Sequence, residues 1–98
     1  MEAKYLQLLD DEVLEFIRQS EAFYPPDAVN LTIADQRKVY NDLCRAYHNG
    51  YPKGVSASDS LIKAKAHNIP IREYRLQGSD PTAQIIYYHG GGFVVGGL

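Results

Sequence analysis

The sequence predicts an α/β chain: helices in its first half, strands and loops in its second, and a glycine-rich corner at the end. Three observations carry this. Charge divides the chain, with five basic and nine acidic groups in residues 1–49 against five basic and three acidic in residues 50–98. Apolar residues recur at helical spacing in the acidic half and at strand spacing in the other. Five of the eight glycines fall within the last nine residues.

The first helix is expected from about Asp11 to Phe23. Leu9, Val13, Phe16 and Ile17 follow one apolar face, Asp10 is placed to cap it, and Asp11 and Glu12 complement the helix dipole in the first turn. Tyr24-Pro25-Pro26-Asp27 must end it, because proline disfavours helix in the residue before it. The polar face is acidic, which is the wrong sign for an anionic lipid surface. A second helix begins at Thr32, whose spacing to Asp35 resembles a capping box. Ile33, Tyr40, Leu43 and Tyr47 share its apolar face, and Gly50 and Pro52 close it. Cys44 reads as a small core residue beside that face, and His48 as a surface group compensating the dipole at the helix end.

Residues 49–59 read as a loop. Within it Gly54-Val55-Ser56-Ala57-Ser58 falls one residue short of the G-x-S-x-G nucleophile turn, and no apolar strand precedes it, so Ser56 is a loop serine. Residues 61–66 and 69–76 then read as two strands of a hairpin joined by His67-Asn68, with Asn68 able to take positive φ. Neither face of the second strand is wholly apolar, which places it near a sheet edge. Gly78-Ser79-Asp80-Pro81 is a turn. Gln84 to His89 is a continuous apolar run, the pattern of a strand buried on both faces in a parallel sheet.

Composition bounds the function. The chain has 98 residues, 45% of them hydrophobic, and a net charge of −2, which allows one small domain or part of a larger one. So weak a field argues against nucleic acid as a partner. No apolar run approaches the roughly 20 residues that span a bilayer, and the acidic, helical N-terminus has the character of neither a secretory signal nor a transit peptide. One cysteine rules out a disulfide framework within the chain and a Cys-rich zinc site, and suits a reducing, cytoplasmic setting.

The chemistry gathers in His89-Gly90-Gly91-Gly92-Phe93-Val94-Val95-Gly96-Gly97. Consecutive glycines let backbone N–H groups converge on a negative charge. The alternatives are a flexible loop or a phosphate cradle, and the phosphate reading is weak, since neither a G-x-x-x-x-G-K-[ST] nor a G-x-G-x-x-G pattern is present.

The stretch IIYYHGGGFVVGG resembles the oxyanion-loop signature of the hormone-sensitive-lipase-like family of α/β-hydrolases, which includes bacterial carboxylesterases. Two N-terminal helices resemble that family's cap segment, and PIREYRL resembles its second strand. The resemblance implies the N-terminal part of an α/β-hydrolase fold, with residues 1–55 as helical cap segment and 56–98 as the start of the core. It implies that Gly91 and Gly92 donate backbone N–H groups to the oxygen of a tetrahedral intermediate. His89 and Gly90 would anchor the loop, and Phe93 would either pack beside the substrate pocket or simply pack within the loop. His89 is not the catalytic base, because the family's base comes from the far C-terminal part of its sequence. The implied activity is hydrolysis of small or short-acyl carboxylic esters by a serine acyl-enzyme, without metal or organic cofactor.

The family's serine, acid and base lie downstream of this loop, in sequence not present here. The strand at Gln84–His89 would be the family's third, lying between the fourth and fifth. The expectation is therefore that the chain does not reach its native arrangement alone and that the remaining polypeptide of the same hydrolase completes it. The alternative is a non-catalytic truncated fragment or interaction module. Monomer and homo-oligomer both stay open.

Overall fold

The computed structural model describes residues 2–98. Three helices come first: α1 (Ala3–Leu6), α2 (Asp11–Glu21) and α3 (Ile33–Ala46), with a 3-10 turn at Ala28–Asn30 before α3. Two antiparallel strands follow, β1 (Val55–Lys63) and β2 (Asn68–Leu76). The remaining residues, 77–98, join no ladder.

α2 carries Asp11 and Glu12 in its first turn and stops before the Pro25-Pro26 pair. Asp10 takes the N-cap position with extended backbone, but its side chain makes no capping hydrogen bond. The expected cap is therefore present in position and charge only. Thr32 does cap α3: its Oγ1 accepts from the Asp35 backbone N–H at 3.1 Å and donates to the Asp35 carboxylate at 2.6 Å. Asp35 occupies the capping-box position expected of it, although its carboxylate bonds to the Thr32 hydroxyl. The helices meet where the Phe16 ring tilts against Tyr47, 5.1 Å between centroids.

The hairpin corrects the sequence reading in two places. β1 begins at Val55, so Ser56, Ser58 and Asp59 lie in a strand and not in a loop. Serine and aspartate are poor strand formers, but the ladder holds them: Ser56 faces Arg75, Ser58 faces Glu73 and Asp59 faces Arg72. The connection is also longer than His67-Asn68. Residues 64–67 form it, the Ala64 N–H donates to the His67 carbonyl at 3.3 Å, and Asn68 is the first residue of β2 with no positive φ. Ring contacts tie the hairpin to the segment that follows α3, since Tyr51 stands edge-on to both His48 and Tyr74.

Packing is where expectation and structure part furthest. Among the described residues no side chain is buried. Cys44, expected in a core, is exposed. The apolar run at 84–89, expected as a buried strand, pairs with nothing, and Ile85 is 91% exposed. The reason is geometric: a strand needs a ladder partner, and the hairpin's two strands pair only with each other. The radius of gyration is 17.9 Å, against about 13 Å for a compact chain of this length. Among the described residues no helix is long and apolar enough to cross a membrane.

Candidate functional site

The glycine corner has an unusual backbone. Gly91, Gly92 and Phe93 take φ of 127°, 60° and 63° in succession, and Gly96 takes 99°. Two of these glycines are required by space as well as by angle. A Cβ on Gly91 would stand 1.9 Å from the Val95 carbonyl oxygen, and one on Gly96 would stand 2.8 Å from His89 Nδ1. Gly90 is different: its φ is ordinary, and a Cβ there would meet nothing within 4 Å. Phe93 is the exceptional non-glycine residue, since a left-handed φ costs a side-chain-bearing residue about 1–2 kcal/mol.

A short network shapes the corner. The Gly91 carbonyl accepts from the N–H groups of both Val94 and Val95, each at 3.1 Å. This turns the chain back on itself and leaves Gly91 bonded through its oxygen. Among the described residues the N–H groups of Gly91 and Gly92 have no main-chain partner, so they are available to a ligand. His89 Nδ1 lies 2.7 Å from the Gly90 carbonyl. A carbonyl only accepts, so Nδ1 is the donor in that contact. The Phe93 ring is fully exposed.

The corner borders a concavity of about 650 Å³. α3 contributes Tyr40 and Cys44, the segment after it contributes His48, the hairpin contributes Arg72 and Tyr74, and the loop contributes His89, Gly90 and Gly96. The sequence-predicted residues His89 and Gly90 are thus brought together with a ring of polar aromatic side chains that sequence reading had assigned to helix and strand faces. Cys44, one turn beyond Tyr40, raises the pKa of the Tyr40 hydroxyl, through charge repulsion and a shared hydrogen bond. Across the hairpin the Arg72 guanidinium grips Asp59 with two hydrogen bonds, Nε at 2.6 Å and Nη2 at 2.9 Å. That pairing holds the Asp59 carboxyl below its ordinary range and raises the Arg72 pKa. Arg72 is therefore a compensated cation and a poor receptor for an anionic ligand.

Sequence reading missed Arg37. Its Nε donates to the Val94 carbonyl at 2.5 Å, joining α3 directly to the glycine corner. A charged residue on a helix's polar face carries no signal for such a contact. Ser56 offers no alternative nucleophile, since its hydroxyl donates to the Arg75 carbonyl at 3.4 Å within the hairpin. Among the described residues no cluster of three or more His, Cys, Asp or Glu could hold a metal ion.

No family model matches this chain. The carboxylic ester hydrolase LipN of Mycobacterium tuberculosis is 31% identical to it over 90 residues, which is 90% of this chain and 24% of that protein. The chain thus spans about a quarter of the length of this relative. The similarity is distant and partial.

Proposed function

We propose that these residues are the N-terminal portion of a carboxylic ester hydrolase of the hormone-sensitive-lipase-like type, contributing cap helices and the oxyanion loop. The observation that carries the proposal is the left-handed run at Gly91, Gly92 and Phe93, whose glycine N–H groups are free of main-chain pairing. The partial match to a mycobacterial ester hydrolase about four times as long supports it, and so does the HGGGF sequence itself. One cysteine suits a cytoplasmic setting.

The chemistry follows from charge. A serine hydroxyl, supplied with its histidine and acid by polypeptide outside residues 1–98, attacks the ester carbonyl carbon. The carbonyl π pair moves onto oxygen, and the serine proton passes to the histidine. The N–H groups of Gly91 and Gly92 meet the new oxyanion and stabilise it more than the ground-state carbonyl. Collapse of the intermediate expels the alcohol, which takes the proton back. Water then repeats the sequence on the acyl-enzyme. Small or short-acyl esters are the expected substrates, by resemblance to the family.

The test is hydrolysis of short-chain aryl esters by the longer polypeptide that carries these residues, alongside labelling by a serine-reactive fluorophosphonate. Turnover together with labelling is the expected result. A pure, folded protein that does neither is a non-catalytic interaction module, and the hydrolase assignment is then wrong.

A further inference from the structure

We propose that Arg37 is a positioning residue for the oxyanion donor at Gly92, acting from the cap helix through two linked peptide planes. This rests on the ester-hydrolase assignment of the glycine corner.

The other four arginines of the chain, Arg18, Arg45, Arg72 and Arg75, each pair with a carboxylate. Arg37 instead donates Nε–H to a backbone oxygen, that of Val94, at 2.5 Å and across 57 positions of sequence. Nothing in helix formation requires this contact, since α3 is already capped at Thr32.

The peptide unit joining Val94 to Val95 is planar and rigid. Its oxygen is held by Arg37. Its N–H, that of Val95, is held by the Gly91 carbonyl at 3.1 Å. Both ends of one plane are therefore fixed, and that plane grips the Gly91 oxygen. The Gly91 carbonyl belongs in turn to the peptide unit that carries the Gly92 N–H. In a trans peptide the two point in opposite directions, so fixing the oxygen aims the N–H the other way. Arg37 thus sets the direction of Gly92 N–H without touching substrate. Glycine needs such an outside brace, because it lacks the Cβ that would restrict its own torsions.

The experiment uses the longer, active polypeptide with Arg37→Ala and Arg37→Lys. It measures kcat and KM on a short-chain aryl ester, affinity for an alkyl boronic acid, and the thermal midpoint. The boronate forms a tetrahedral adduct on the serine and places an oxygen at the oxyanion position. Misaimed donors lower kcat about 10- to 100-fold in Arg37→Ala, with KM changed by no more than about twofold. Boronate affinity falls in parallel, the thermal midpoint holds, and Arg37→Lys recovers part of the loss because its ammonium can still reach a carbonyl. An Arg37→Ala enzyme with unchanged kcat overturns the role, as does one whose loss tracks a fall in thermal midpoint or goes unrescued by lysine. Should the unsubstituted protein neither turn over ester nor take the fluorophosphonate label, the hydrolase assignment falls as well. Normal labelling beside an indifferent Arg37→Ala removes the Arg37 role alone.

Discussion

At the scale of single residues, the glycine triplet is three different positions. Gly91 combines a φ of 127° with a Cβ site 1.9 Å from the Val95 oxygen, so any side chain there must unmake the turn that presents the N–H groups. Gly90 has neither restriction. In the proposed ester hydrolase Gly91→Ala is expected to lower kcat by about 100- to 1000-fold, the scale of losing an oxyanion donor. Gly90→Ala is expected to cost far less. Steady-state kinetics on the pair checks the ranking, and equal losses would mean that conformation at Gly91 is not what matters. The triplet itself was legible in the sequence because glycine runs are rare and chemically specific. Which of the three needs its missing Cβ was not, because that depends on where the Val95 carbonyl folds back.

At the scale of elements, local chemistry was readable to the extent that it is local. Thr32 and Asp35 are three residues apart, and the cap they form needs no other part of the chain. Thr32→Ala in the longer protein should destabilise it by about 1 kcal/mol, seen as a lower thermal midpoint, while Thr32→Ser should hold. The hairpin was read less well, because Ser56, Ser58 and Asp59 have weak strand preference and owe their strand to partners across the ladder. Asp59 opposite Arg72 is such a partnership, and it gives the hairpin a pH signature. Hydrogen bonding to Arg72 lowers the Asp59 carboxyl below its ordinary value of 3.8. The pair therefore supports the hairpin above that value and ceases to do so as pH falls through the lowered pKa. Amide exchange along β1 and β2 should quicken on acidification in that window, and Asp59→Asn should remove this part of the pH dependence. Because Asp59 is more than half exposed, the effect is modest.

At the scale of the molecule, surface area decides what the chain is built to do. It exposes 8929 Å², against about 5,600 Å² for a compact protein of 11.0 kDa. The excess is roughly 3,300 Å². Much of it is apolar and continuous: Ile85, Ile86, Tyr87 and Tyr88 stand 71–91% exposed. Periodicity had marked this run as a strand buried on both faces, and a continuous apolar run does carry that meaning. What periodicity cannot supply is the pair of neighbours that would bury it. Two substitutions separate the two states. Ile85 and Ile86 lie on opposite faces of any strand they form, so Ile85→Asp and Ile86→Asp each place a charge where the proposed parallel sheet would be dry. In the longer polypeptide both should abolish soluble folding, since an unpaired buried carboxylate costs several kcal/mol. In the 98-residue chain both positions face water, so neither substitution should alter the circular dichroism, and both should reduce binding of a hydrophobic dye. If either isoleucine in the longer protein accepts aspartate without loss of solubility, this run is not a two-sided strand, and the glycine corner that follows it is not at the end of one.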